Sequence, residues 1–160
     1  MRRKDKLMDD PKELDRVLKK AKYITIAMID HGHPYLVTLS HGYDAAQHCI
    51  YFHCAGQGRK IDALIAAPEV YGQALDDLGY VAGSCDHKFE TVQFEGRVSF
   101  VNDPGEKRHG LEVMIRQLEP DPETVIAAQT QENSLAKVTI GRIDLGNLSG
   151  KRAVKPVVQL

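Results

Sequence analysis

Residues 88–101 constrain the fold more than any other stretch. Phe94, Gly96, Val98 and Phe100 alternate with Glu95, Arg97 and Ser99. A period of two sends one set to each face of a β-strand. The run is long for a strand, and Gly96 inside it predicts a bulge or a close backbone contact. Other β-rich runs lie at 23–29, 34–40, 48–54, 70–75 and 136–145. Asp30-His31-Gly32-His33 reads as the turn that joins the first two, and Pro34 starts a strand, where a missing N–H is tolerated. Residues 41–47 and 76–86 read as connections, the second polar and glycine-containing.

Helical patterns are fewer. Asp10-Pro11-Lys12-Glu13 supplies an N-cap, a first-turn proline and the glutamate of a capping box; Leu14, Val17, Leu18 and Ala21 then share one face. Asp103-Pro104-Gly105-Glu106 repeats that signature before Leu111, Met114, Ile115 and Leu118. Pro120 and Pro122 separate a weaker helical stretch, 123–128. A short helix is expected over 59–66, closed by Pro68. The elements do not alternate as βαβ, and no GxGxxG or Walker sequence is present. The expected fold is therefore mainly β with flanking helices, a small antiparallel barrel. It forms one domain over 1–160, with residues 1–8 and 152–160 as peripheral tails and a basic, partly mobile end from Gly146.

A net charge of -1 gives no global attraction to nucleic acid or anionic lipid, and the absence of Trp counts against a base-stacking surface. The start, Met1-Arg2-Arg3-Lys4-Asp5-Lys6, is basic without a following apolar region, and no apolar run has the length of a bilayer span. A cytoplasmic protein is expected. Cys49, Cys54 and Cys85 match no disulfide framework and no zinc motif, so reduced thiols are expected.

Chemistry concentrates at Ile50-Tyr51-Phe52-His53-Cys54-Ala55-Gly56-Gln57-Gly58-Arg59-Lys60. A β-rich run gives way to two glycines, two cations and a helix start. Glycines permit close backbone approach, and a helix N-terminus offers free N–H groups to an anion. Arg59 and Lys60 suit a phosphate, and a phosphate here suggests a nucleotide-like cofactor; the alternative is two solvated surface cations. His53 is a candidate for ligand contact or proton donation, or a hydrogen-bonded barrel residue without a chemical role. Cys54 reads as a small buried residue unless a cation activates it. His31 and His33 flank a turn without a third metal ligand, and His41 and His48 join them only if loops converge. No metal site is expected. Ser84, Asp86 and His87 sit too close in sequence for triad geometry.

Met1-Arg2-Arg3-Lys4-Asp5, Pro34-Tyr35, Ile50-Tyr51-Phe52-His53 and Gly58-Arg59-Lys60, in this order, resemble the nitroimidazole-resistance (Nim-type) branch of the pyridoxamine 5'-phosphate oxidase-like proteins. Thr91-Val92-Gln93-Phe94-Glu95-Gly96-Arg97-Val98 is similar to that family's long strand with its internal glycine. The resemblance implies a split β-barrel binding FMN at a homodimer interface, and flavin-dependent reduction of small molecules, nitro-heterocycles among them, with NAD(P)H as a candidate donor. It implies that Thr38, Leu39 and Ser40 line the isoalloxazine edge and that His53, Cys54 and Ala55 lie beside the ribityl chain. Gly58, Arg59 and Lys60 are implied to hold the phosphate, and Thr91 and Val92 to approach from the partner subunit. No obligatory catalytic side chain is expected. A flavin-storage protein without turnover, or a haem-binding protein with His53 or a turn histidine as ligand, remains an alternative on the same barrel.

Overall fold

The computed structural model describes residues 4–154. The strands are β1 (Leu7–Met8), β2 (Tyr23–Asp30), β3 (His33–Ser40), β4 (Gly42–Asp44), β5 (Cys49–Cys54), β6 (Glu69–Val81), β7 (Asp86–Phe100) and β8 (Thr139–Ala153). The helices are α1 (Pro11–Lys20), α2 (Arg59–Ala66), α3 (Pro104–Leu118), α4 (Pro122–Gln129) and α5 (Glu132–Leu135). All strand pairs are antiparallel, in the order β3-β2-β6-β7-β8-β5-β4, and β1 adds to β8.

The sheet rolls up because strands from both ends of this path share one core. Ile24, Ile26 and Met28 of β2 pack with Val92, Phe94 and Val98 of β7 and with Ile50 and Phe52 of β5. The end strands β3 and β4 are not neighbours in the hydrogen-bonded order, so the barrel is split rather than closed. Helix α1 contributes Leu14, Val17 and Leu18 to the same core. A second, smaller core of Cys49, Tyr51, Val101, Met114 and Ile140 lies under α3.

The expectations for the long strand hold. The register of β7 against β8 shifts between Phe94 and Gly96, and a methyl group on Gly96 would overlap Ile143. Asp30 pairs with His33 across His31 and Gly32, both at positive φ (48° and 80°), the geometry of a tight two-residue hairpin turn.

Several boundaries move. Within 41–47 the chain forms β4, and β6 runs on to Val81, so the connection expected over 76–86 shrinks to 82–85. The last strand continues to Ala153 instead of ending at 145, which places the expected mobile end in the sheet. Leu7 and Met8 pair with Lys151 and Gly150, and Met8 is buried, so these positions and Arg152–Ala153 are not peripheral tails. Met1-Arg2-Arg3 and residues 155–160 lie outside the described residues. Both helix starts also depart from the capping box. Asp10 and Asp103 do cap, accepting from the amides of Lys12 (2.9 Å) and Glu106 (2.8 Å). The glutamates do not reciprocate: Glu13 bonds Arg152 (2.7 Å) and Glu106 bonds Arg142 (2.9 Å).

Candidate functional site

The corner between β5 and α2 has the features of an anion cradle. Gly58 sits at φ 125°, a conformation closed to other residues, and a Cβ there would meet nothing within 4 Å. It is the N-cap of α2, and no side chain caps the helix. The first amides of α2 are therefore without an intrahelical partner or a side-chain cap. Asp62 N–H already closes the first turn on the Gly58 carbonyl (3.1 Å).

Arg59 is fixed here by two partners from the β2–β3 hairpin. Its Nε donates to Asp30 at 2.6 Å, and its guanidinium lies 4.2 Å from the Tyr35 ring centroid. The ion pair uses one of the five guanidinium donors. Lys60 places its ammonium 5.9 Å from the Phe52 ring centroid. Burial pushes the Cys54 thiol upward and the Lys60 charge only partly opposes this, so the sulfur is not an activated thiolate.

The other expected site residues separate by strand parity. On β3, Thr38 and Ser40 are exposed, and Thr38 Oγ1 lies 3.0 Å from Thr25 Oγ1 on β2. The Leu39 side chain turns into the core, so only its backbone is available to a ligand. As the end strand, β3 has one side of its backbone outside the sheet ladder. On β5, Phe52 and Cys54 face the barrel core, whereas Tyr51 belongs to the core under α3. His53 shares the parity of Tyr51; it is exposed and lines a cavity beneath α3 and α4, away from the Cys54 face. Ala55 is exposed.

Thr91 and Val92 turn their side chains inward, so an approach to a neighbouring subunit's ligand would use their backbone. Val92 is fully buried in the core of its own chain, and Thr91 is buried with Oγ1 donating to the Ala74 carbonyl (2.9 Å). Neither side chain is offered to a neighbour. The exposed positions on the outer face of β7 include Gln93, Glu95, Arg97 and Ser99. That face continues across the sheet as an apolar patch. Ala27 pairs with Leu36 on one side and Tyr71 on the other, and Leu36 and Tyr71 are 65% and 48% exposed.

Elsewhere, His87 pairs with Asp77 (2.6 Å) and Ser84 Oγ donates to the Val81 carbonyl, so Ser84, Asp86 and His87 form no relay. Among the described residues no three His, Cys, Asp or Glu side chains converge as metal ligands. No helix among them is long and apolar enough to cross a membrane. Sequence reasoning missed Asp30 and Tyr35 as partners of Arg59. Tyr35 stood in the quoted Pro34-Tyr35 pair, but nothing local linked either residue to α2.

The family model for pyridoxamine 5'-phosphate oxidase matches residues 10–152. The chain belongs to the pyridoxamine 5'-phosphate oxidase family. Solved structures show the same fold. A candidate 5-nitroimidazole antibiotic resistance protein from Bacteroides thetaiotaomicron is 23% identical, with 91% of this chain and 86% of that one covered and a TM-score of 0.75. The flavocytochrome Anf3 from Azotobacter vinelandii is 15% identical over 99% of this chain and 74% of its own, with a TM-score of 0.79. An FAD and heme binding protein from Mycobacterium smegmatis is 17% identical over 96% and 77%, also at 0.79. No functionally curated protein is similar enough to count as a relative.

Proposed function

We propose that this protein binds a flavin, FMN, with the phosphate in the α2 corner, and acts as an oxidoreductase on small nitro-heterocyclic or related aromatic compounds. The observation that carries the reading is the uncapped helix start at Gly58, flanked by a positioned Arg59 and by Lys60. Open space at Gly58 and two cations fit a phosphoryl group. Family membership supports a flavin in that role, and proteins of this fold include an FAD and heme binding protein.

A bound flavin supplies hydride and electron transfer; the chain supplies binding, orientation and local charge. Gly58, Arg59 and Lys60 hold the phosphate. Ala55 and Cys54 flank the linking chain, with the protonated Cys54 thiol serving as a wall. Thr38, Ser40 and the outer backbone of β3 orient the ring edge. The exposed Leu36–Ala27–Tyr71 patch supports a homodimer whose second copy covers it. In that assembly the neighbour contributes the side chains of Gln93 and Glu95, and only backbone from Thr91 and Val92. A reduced nicotinamide serves as donor.

The absorbance spectrum of the purified protein tests this. Flavin bands, bleaching by NADH or NADPH, and reoxidation on adding 2-methyl-5-nitroimidazole are expected. A Soret band without flavin bands refutes the cofactor, and bands that no donor bleaches leave a flavin carrier. Arg59→Ala with Lys60→Ala should strip the flavin without unfolding the chain, because both are surface positions. Unchanged flavin content in that double variant overturns the phosphate assignment.

A further inference from the structure

Helix α1 turns an uneven charge outward. Its Leu14, Val17 and Leu18 lie in the barrel core, so the opposite face meets solvent. On that face Lys12, Asp15, Arg16, Lys19 and Lys20 line a shallow depression of about 590 Å³. Arg16, Lys19 and Lys20 follow Lys12 at helical spacing, which puts all four cations on one side of α1 over two turns.

The acids of this region are held by neighbours, and three of its lysines are not. Asp10 caps the helix by accepting from the Lys12 amide (2.9 Å). Glu13 accepts from Arg152 (2.7 Å), and Asp15 accepts from the Tyr43 hydroxyl (2.6 Å). Arg16 donates to both carboxylate oxygens of the buried Glu90 (3.0 and 2.7 Å), and Lys20 pairs with Asp76 (2.7 Å). Among the described residues no acid pairs with Lys12, Lys19 or the adjoining Lys22, and all three are exposed. The helix dipole does not account for this arrangement. It favours cations in the last turn, where Lys19 and Lys20 stand, but Lys12 is in the first turn, where a cation is unfavourable. The whole chain carries a net charge of only -1, so the positive excess is local.

We infer that the exposed face of α1 docks an acidic partner protein, through a helix that presents carboxylates two turns apart to Lys12 and Lys19. The two lysines are about 10 Å apart along the axis, the same interval as carboxylates seven residues apart on a partner helix. The depression is too shallow to enclose a small anion. Nucleic acid fits it less well, because Arg16 is engaged by Glu90, Asp15 lies in the lining and no aromatic side chain lines it. A bilayer also fits less well, because the apolar face of α1 is in the core and is not available for insertion.

The probe is an alanine-rich helical peptide with glutamates at seven-residue intervals. It is titrated into the full-length protein at about 20 mM salt and followed by amide chemical shifts. Saturable shifts over residues 12–22 are expected, and they should be lost by about 0.3 M salt. A peptide of the same composition with its glutamates spread around the helix should bind at least about fivefold more weakly. Lys12→Glu with Lys19→Glu should weaken the first peptide at least about tenfold. Arg108→Glu with Lys137→Glu changes the net charge equally at exposed positions elsewhere and should leave binding within about twofold. Lys12→Gln with Lys19→Gln serves if the double reversal does not fold. The inference is overturned if the peptide gives no saturable shifts over α1, if the spread-glutamate peptide binds as tightly, or if the reversal at 108 and 137 weakens binding as much as that at 12 and 19. Tighter binding through α1 of a DNA duplex of matched length, or of vesicles containing anionic lipid, also overturns it. So does a Lys12→Glu variant that unfolds at a lower temperature than wild type, since Lys12 then serves the fold.

Discussion

Acidification should destabilise this protein through His41, and the size of the effect follows from its surroundings. The ring is fully buried between α1 and α3. Nε2 lies 3.0 Å from the Leu18 carbonyl and 3.1 Å from Gln117 Nε2, while Nδ1 has no partner. Gln117 also donates to the Leu18 and Ala21 carbonyls (3.2 and 3.1 Å) and accepts from the Tyr43 amide (2.9 Å), which fixes its orientation. With Nε2 donating to Leu18, the neutral ring leaves only a bare acceptor at Nδ1. Protonation would bury a second N–H without an acceptor, and a charge. Burial accordingly holds His41 down to about 4, against the ordinary 6.5, with the Leu18 bond partly opposing. The unfolded chain then binds the proton first as pH falls. His41's contribution is complete above its unfolded value, declines between about pH 6.5 and 4, and amounts to about 3 kcal/mol when fully lost. Urea unfolding of wild type and His41→Gln at matched pH values isolates it, because the carboxylates titrate alike in both. The variant should be less stable at pH 7, and the gap should narrow by about 2 kcal/mol by pH 5. Parallel stability profiles across that range would refute the argument.

Three further outcomes are expected. Gly110→Ala should destabilise, although alanine is the better helix residue by about 1 kcal/mol, because a Cβ there meets Tyr51 Cδ1 at 2.7 Å in a fully buried ring; a net loss of about 1–2 kcal/mol in chemical denaturation is expected, and a gain would show that Tyr51 yields. Arg142→Ala removes bonds to Glu106, Asp144, Gln47 and Tyr51 from a side chain only 21% exposed. It should cost about 2 kcal/mol and raise amide exchange in α3 before α2; equal exchange in both helices would contradict this. Leu36→Lys with Tyr71→Lys should convert a dimer into a species of 17.8 kDa in sedimentation, whereas wild type already at that mass would remove the dimer from the proposal.

Much of the barrel was legible because β7 packs one face. Its even-numbered residues from Val92 to Val98 face the core, so alternation alone located the strand, and the same parity placed Val92 inside. The same parity leaves only the backbone of Val92 for a neighbour's ligand. β5 carried no such signal: Cys49-Ile50-Tyr51-Phe52 is apolar on both faces because two cores flank it, so periodicity could not assign His53 a side. The second half of β8, Gly146 to Ala153, has little hydrophobic alternation, and its pairing with β1 and β7 is set by chain more than fifty residues away. At the α2 corner the glycines and cations are local and were readable. The Asp30 partner stands 29 residues from Arg59 and depends on how the β2–β3 hairpin packs.

The two Asp-Pro-x-Glu helix starts show why a local motif and a fold can disagree. A capping box offers the glutamate one neutral backbone N–H, whereas β8 offers each glutamate a guanidinium, and charge-assisted bonds are about twice as strong. Glu13 goes to Arg152 and Glu106 to Arg142, near opposite ends of the same strand. Each aspartate still caps, so neither helix loses its start. The diverted glutamates anchor α1, which packs into the barrel core, and α3, which roofs the His53 cavity, to one strand. The α2 corner has no such tie to β8; its cation is fixed instead by Asp30 and Tyr35 from the far edge of the sheet. Helix α3 and the α2 corner thus hang from different parts of the barrel, which is why a change at Arg142 should disturb α3 and spare α2.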